Sequence, residues 1–200
     1  MARGATARLF VAADPPSDVR EELAEWARET TAEWGAWNPR RSRRTPRVLK
    51  GEALHLTLCF LGSRPQGEIA ELAAAVGACA EHVGELALGA PLWLPPRRPR
   101  ALAVEVHDRG GRLTALQASL TRALSQASGW EPERRRFRPH ITLVRMGMGV
   151  APRGGERPLL AATPQRRFAP ESIVLYRSLP TPGGSIYEPL ARCDLGAGEG

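Results

Sequence analysis

One short pattern occurs twice in this chain of 200 residues, as HLTL at 55–58 and as HITL at 140–143. Both copies lie in apolar runs and alternate polar with apolar residues, which predicts two β-strands. Because side chains alternate between the faces of a strand, His55 and Thr57 share one face, and so do His140 and Thr142. The leucines and isoleucine between them point the other way. The chain must therefore build two strands that each bury one face and carry a histidine and a threonine on the other.

The remaining sequence predicts a mixture of helices and strands. Helical spacing of apolar residues predicts helices at 18–34, 68–83 and 112–127. Apolar runs bounded by glycine and proline predict strands at 8–14, 54–62, 86–94, 101–106, 140–147, 172–179 and 185–195. Several strands follow one another without an intervening helix, so the fold class is α+β rather than doubly wound. We expect one domain over residues 1–195 and a disordered tail at 196–200.

The chain is strongly basic, with a net charge of +7 and a single lysine, Lys50. A basic balance draws a protein toward polyanions such as RNA, but arginine together with abundant alanine, glycine and proline is also typical of a GC-rich genome. The arginine-rich segments 39–47 and 129–139 are predicted loops that either contact phosphates or are simply solvated. Three widely spaced cysteines, Cys59, Cys79 and Cys193, are expected to be buried free thiols.

The sequence also predicts where the protein works. It contains no apolar stretch long enough to span a bilayer, and its N-terminus lacks the apolar run and cleavage site of a signal peptide. We therefore expect a cytoplasmic protein that does not bind membranes. The sequence leaves the oligomeric state open, with a monomer as the default.

Two His-x-Thr faces that met across a cleft could carry out chemistry at phosphorus. Histidine both accepts and donates protons near neutral pH, so a facing pair supplies one base and one acid. A threonine hydroxyl two residues along can hold a nonbridging phosphoryl oxygen. Water activated by one imidazole would displace an ester oxygen that the other imidazole protonates, without a metal. The alternative is a structural pair of histidines, although buried imidazoles and hydroxyls both need partners.

Other hydrolytic sites fit the sequence less well. His55 and His140 could ligate zinc, but there is no third histidine, cysteine or carboxylate at a helpful spacing and no HExxH. The GxSxG pattern of serine hydrolases is absent. We therefore predict neither a metal nor a cofactor.

Taken with RLFVA near the start and with LYRSL and GSIY near the end, the paired motifs resemble the two-histidine (2H) phosphoesterases. They are most similar to the RNA 2′,3′-cyclic phosphodiesterases of bacteria and archaea, once called 2′-5′ RNA ligases. The resemblance covers nearly the whole chain. It implies a bilobal fold, with two sheet-and-helix lobes related by a pseudo-twofold axis around a central cleft. It also implies an RNA or nucleotide substrate whose 2′,3′-cyclic phosphate is hydrolysed to a 2′-phosphomonoester, with strand joining as a side activity.

The resemblance further implies roles for individual residues. His140 would be the proton acceptor that activates water, and His55 the proton donor to the 3′ oxygen. Thr57 and Thr142 would bind the phosphate. Arg145 matches the arginine that often follows the second motif, and we expect it on the same strand face as His140 if the strand continues regularly. It would neutralise phosphate charge there, or else pair with an acidic residue at the sheet edge.

Four further residues and one rival function stay open. Phe10 and Tyr187 could reach the cleft or belong to the core or a strand end, with core packing favoured for Phe10. His82 and His107 are interpreted as surface or capping residues, since neither has a threonine two positions on. The rival is a non-catalytic module of the same fold that binds nucleotide or RNA. Because loss of a histidine is the expected mark of such a module, the two intact motifs favour the enzyme.

Overall fold

The computed structural model describes residues 5–32, 34, 46–146, 160–182 and 184–196. Its helices are α1 (Ser17–Ala32), α2 (Ile69–Gly77) and α3 (Arg112–Ser128). Its strands are β1 (Thr6–Asp14), β2 (Arg47–Val48), β3 (Leu56–Pro65), β4 (Leu86–Leu94), β5 (Ala101–His107), β6 (His140–Arg145), β7 (Arg167–Phe168), β8 (Ser172–Thr181) and β9 (Gly184–Asp194).

These strands form one antiparallel sheet in the order β7-β4-β5-β6-β3-β1-β8-β9, with β2 alongside β6. The strands of the two repeated motifs, β3 and β6, are neighbours at its centre and pair through Leu56 and Ile141. Outward from that pair the two half-sheets correspond, because β1 follows β3 on one side and β5 follows β6 on the other. The predicted α+β class and two-lobed arrangement are confirmed.

The helices cover one face of the sheet and create the core there. Helix α1 contacts β2 and β6, while α2 and α3 pack against each other and against strands of the other half-sheet. In β1, Leu9, Val11 and Ala13 point into this core. The residues between them, Phe10 and Ala12, pack on the opposite face with Val174 and Tyr176. We call that opposite face the open face.

Helix α3 shows how the sequence sets its limits. Four leucines at helical spacing form its buried side: Leu113, Leu116, Leu120 and Leu124. At its start, the backbone N–H and the hydroxyl of Thr114 both donate to the Asp108 carboxylate, at 2.9 and 2.8 Å. At its end, Gly129 adopts a left-handed conformation with φ of 62°, the usual glycine cap. The prediction of 112–127 was correct to within one residue.

Other predicted segments differ from the structure. The second helix was expected to reach residue 83 but ends at Gly77, because the backbone then tightens into i to i+3 hydrogen bonds at Cys79 and Ala80. The predicted loop at 39–47 contains the end of the short strand β2, and β7 forms before β8 where no strand was predicted; each pairs with a neighbouring strand of the sheet. Residues 39–45, 149–159 and 197–200 lie outside the described residues, so this part of the loops and most of the predicted tail are untested.

The state of the cysteines agrees with the prediction in part. All three cysteines are free, as predicted, but only Cys59 is fully buried, whereas Cys79 and Cys193 are half-buried. None of the helices in the described ranges combines the length and the apolar character needed to cross a bilayer.

Candidate active site

The two motif histidines are held by the same hydrogen bond. The Nδ1–H of His55 donates to the carbonyl of Ala53 at 2.9 Å, and the Nδ1–H of His140 donates to the carbonyl of Arg138 at 2.7 Å. A carbonyl only accepts, so Nδ1 carries hydrogen in both rings and Nε2 is left to exchange a proton with a ligand. Each bond reaches back two residues, so the segment before each strand fixes its imidazole in the same way.

The threonines occupy equivalent places on the two half-sheets. Thr57 pairs with Ala12 of β1, and Thr142 pairs with Ala103 of β5. A neighbouring alanine leaves the space above each threonine open. Among the described residues, neither hydroxyl has a hydrogen-bond partner. Both are half-buried, while the alternate residues of their strands lie in the core, as the alternation predicted.

Arg145 reaches the open face by a different route from the one expected. Arg145 does share the face of His140, but strand regularity is not the reason, because a position five residues along a regular strand lies on the opposite face. The ladder between β5 and β6 instead shifts register: Thr142 pairs with Ala103, but Val144 pairs with Leu102. This β-bulge adds one residue to β6 and returns Arg145, opposite Ala101, to the face of Thr142.

His55 lies among aromatic rings of the open face. Its ring centroid is 4.8 Å from that of Phe10 and 5.0 Å from that of Tyr187, which meets it edge-on. The pKa of His55 is lowered from 6.5 to about 4, mainly by burial and in part by the nearby Arg145 guanidinium, whereas the bond to Ala53 opposes the shift. His55 is therefore neutral at pH 7 in the unliganded protein.

This shift predicts an acid-sensitive stability. Between pH 6.5 and about 4 the unfolded chain protonates His55 and the folded chain does not, so stability falls as the pH drops through that window and levels off below it. Between pH 7.5 and 4.5 this histidine should lower the free energy of unfolding of the parent protein by about 2 kcal/mol, and we expect His55→Gln to lack that part of the decrease. Urea unfolding of both proteins at the two pH values measures how much each is destabilised by acid. The carboxylates are the same in both proteins, so their contribution cancels when the two changes are subtracted. Equal pH dependence of the two proteins would contradict it.

A buried polar network supports the aromatic group. Asp14, with 3% of its surface exposed, accepts hydrogen bonds from the Tyr176 hydroxyl at 3.1 and 2.9 Å and from Arg192 Nη2 at 3.0 Å. Burial and the adjacent Asp14 charge raise the pKa of Tyr176, so its hydroxyl stays protonated and donates. The Tyr176 ring stacks on Phe10 at 5.3 Å, and Phe10 contacts His55. The network thus anchors the wall behind this histidine.

A second carboxylate lies beside the other histidine. Glu105 pairs directly with His140 across β5 and β6. Its Oε1 accepts two hydrogen bonds from the Arg138 guanidinium, at 3.1 and 3.3 Å. The backbone carbonyl of Arg138 also accepts the hydrogen bond from His140. Arg138 therefore connects the Glu105 carboxylate to the His140 imidazole, the first through its side chain and the second through its backbone. Pro139 follows and restricts the Arg138 backbone to extended conformations, which fixes the carbonyl.

An open pocket of about 560 Å³ adjoins His55. Its walls include Ala53, which holds the imidazole, and Tyr187, which touches it, together with Arg47 and Lys50. Arg47 lies directly opposite Arg145 and packs against Gly184 so closely that a side chain on this glycine would overlap it. Gly184 also has a φ of 134°, which favours glycine.

The sequence did not single out all of these residues. Phe10 and Tyr187 were left undecided between the cleft and the core, and they prove to border His55 on the open face. Asp14, Tyr176 and Glu105 were not identified. A polar residue at the end of a buried strand was the available signal for Asp14, but its partner Arg192 is too distant in sequence to be inferred. In the described part of the chain, no three histidine, cysteine or acidic side chains gather as metal ligands would.

Comparison with known proteins gives a consistent result. A sequence model of the 2′-5′ RNA ligase superfamily matches residues 15–179. An RNA 2′,3′-cyclic phosphodiesterase of Escherichia coli K12 is 29% identical over 193 residues, which is 94% of this chain and 96% of that protein. One from Geobacillus stearothermophilus is 35% identical over 133 residues, covering 64% of this chain but 41% of the relative.

Solved structures agree with this. The structure of E. coli LigT complexed with 3′-AMP superposes with a TM-score of 0.73 at 25% identity. The match covers 96% of this chain and 99% of LigT. Both motif strands therefore lie within the shared fold.

Proposed function

Because the chain belongs to the 2′-5′ RNA ligase superfamily, we propose that it is an RNA 2′,3′-cyclic phosphodiesterase, which hydrolyses a terminal 2′,3′-cyclic phosphate to a 2′-phosphomonoester. The observation that carries this proposal is the matched pair of hydrogen bonds from Nδ1 of His55 and of His140, which leaves both Nε2 atoms for proton transfer. An enzyme that displaces an ester oxygen with water needs one such atom on each side of the phosphorus.

The reaction follows from these groups. Nε2 of His140 accepts a proton from water as the water oxygen attacks phosphorus. The bond from phosphorus to the 3′ oxygen breaks, and that oxygen takes a proton from Nε2 of His55. The hydroxyls of Thr57 and Thr142 donate to the nonbridging oxygens, and Arg145 offsets their negative charge. Both proton transfers use imidazole, so the proposed mechanism requires no metal.

The low pKa of His55 refines its role as proton donor. An imidazole that is neutral in the free protein has no proton to give, so it must gain one when substrate binds. The phosphodiester supplies the reason, since a negative charge placed beside an imidazole favours the protonated form. In this proposal substrate binding protonates His55, while in the free protein burial and the nearby Arg145 guanidinium keep it neutral.

Strand joining uses the same groups. If the 5′-hydroxyl of a second RNA takes the place of water, the same two proton transfers form a 2′-5′ linkage, and we include this as a side activity. A cytoplasmic location and a monomeric state remain predictions from the sequence.

The function is tested by product analysis. Purified protein in EDTA is incubated with adenosine 2′,3′-cyclic phosphate and with a short RNA ending in a cyclic phosphate, and the 2′ and 3′ monophosphates are separated by chromatography. We expect the 2′ product alone. A His55→Gln/His140→Gln double variant, purified identically, controls for contaminating phosphodiesterases. Tight binding of either substrate without turnover would instead establish the rival function, a binding module of the same fold.

A further inference from the structure

A groove leads away from the His140 side of the site. Two pockets, of about 490 and 820 Å³, share His107 and Arg109 as wall residues and so adjoin each other. The first also has Arg136 and Pro139 in its wall, and Pro139 is the residue before His140. The second continues past β4 to Gln165. We call the two pockets together the His107 groove.

His107 presents a flat ring in this groove. It lies two residues beyond Glu105 on β5, and therefore on the same face as His140, which pairs with Glu105. Its imidazole rests against the backbone of Gly89, where an added Cβ would lie 2.5 Å from Nε2. Glycine at this position thus lets the ring lie close to β4 while His107 stays exposed. An exposed ring of this kind is a surface on which a nucleobase can stack.

Cations flank the ring. Arg109 and Arg136 are exposed, and within the described ranges neither forms an ion pair with a carboxylate. The carboxylate in the same wall, Asp108, already accepts two hydrogen bonds from Thr114 at the start of α3. The two other arginines of the wall are committed to acidic partners, Arg166 to Asp18 and Glu22, and Arg167 to Glu85. Arg109 and Arg136 are therefore the arginines of this wall that can take up phosphates.

We propose that the His107 groove binds the single-stranded RNA whose terminal cyclic phosphate lies between His55 and His140. In this arrangement Arg109 and Arg136 contact backbone phosphates, and His107 stacks on a base. The inference rests on the proposed function and extends it, because it makes an RNA chain, rather than a mononucleotide, the preferred substrate.

Steady-state kinetics with substrates of two lengths tests the groove. We expect Arg109→Ser/Arg136→Ser to raise KM for a short RNA ending in a cyclic phosphate about tenfold or more, and to leave adenosine 2′,3′-cyclic phosphate unaffected. His107→Ala should raise the same KM about fivefold. The matched control is Arg97→Ser/Arg98→Ser, which removes two arginines at the far end of the β4–β5 hairpin and should change neither substrate.

Binding measured without turnover separates this inference from the catalytic proposal. Anisotropy of a fluorescent RNA ending in a 2′-phosphate is followed across a series of KCl concentrations. If two phosphate contacts are lost, the slope of log K against log salt should become shallower by about 1.4 in the groove variant. An unchanged KM and slope, or equal losses in the control variant, would overturn the groove. Absence of turnover on both substrates would refute the proposed function, while the binding series would still test the groove.

Discussion

His55→Gln is expected to lower kcat/KM for adenosine 2′,3′-cyclic phosphate about 1000-fold, but to lower it less than about tenfold for an aryl phosphodiester that releases p-nitrophenolate. The reason is that p-nitrophenolate leaves without a proton, so the reaction no longer needs the acid. His140→Gln removes the base that activates water, which both substrates need, and should cost about 1000-fold on each. Initial rates for the two variants on the two substrates measure the pattern.

The pattern also distinguishes the ways in which the assignment can fail. If His140→Gln has nearly normal kcat/KM on the aryl ester and His55→Gln does not, His140 is the proton donor and His55 the proton acceptor. The two histidines would still form the acid–base pair. If either variant retains full activity on the cyclic phosphate, the two-histidine mechanism is wrong. His82→Gln is the matched control, because His82 lies away from both motifs and donates to the Gly196 carbonyl, and it should behave like the parent protein.

Asp14→Ala should destabilise the fold by about 3 kcal/mol, the largest stability effect that we expect from a polar residue. The substitution leaves the Tyr176 hydroxyl without its acceptor on the open face and removes the negative partner of Arg192. Arg192 is about half exposed, so water can solvate its charge once Asp14 is removed. The expected destabilisation is therefore at the lower end of the range for breaking a buried ion pair. The midpoint of urea denaturation, taken at neutral pH, gives the change in the free energy of unfolding.

A double-mutant cycle identifies the cause. Tyr176→Phe alone removes one donor, and we expect it to cost about 1.5 kcal/mol. In the Asp14→Ala background the same change should cost much less, because the hydroxyl it removes no longer has an acceptor. Strict additivity of the two substitutions would show that Asp14 stabilises the fold in some way other than through Tyr176.

Local patterns predicted the parts of this protein that depend on neighbouring residues. The period of two in HLTL and HITL placed both histidines and both threonines correctly relative to the core, because alternation is a property of any strand. The leucine spacing of α3 located that helix to within one residue, since its buried stripe, the Asp108 contacts and Gly129 all agree. Consistent local signals of this kind are the most reliable basis for prediction.

Features that depend on pairing between distant segments could not be predicted in this way. The position of Arg145 depends on a bulge against β5, and nothing within β6 itself signals the extra residue. The strand β2 exists only because β6 offers it an edge. The aromatic wall of His55 joins Phe10 of β1 to Tyr176 and Tyr187 of the β8–β9 hairpin, which lies near the other end of the sequence. Which aromatic residues come to border His55 is decided by the assembled sheet.

The pairing of Leu56 with Ile141 bears on how this site tolerates motion. In the described structure it is the one pair in the strand register between β3 and β6, and His55 and His140 each immediately precede a member of it. If one half-sheet swings relative to the other about this contact, displacement grows with distance from the pivot. The two imidazoles are then the least displaced, whereas the outer strands travel furthest. Such a swing would widen the open face for a bulky ligand while the two histidines kept nearly the same spacing.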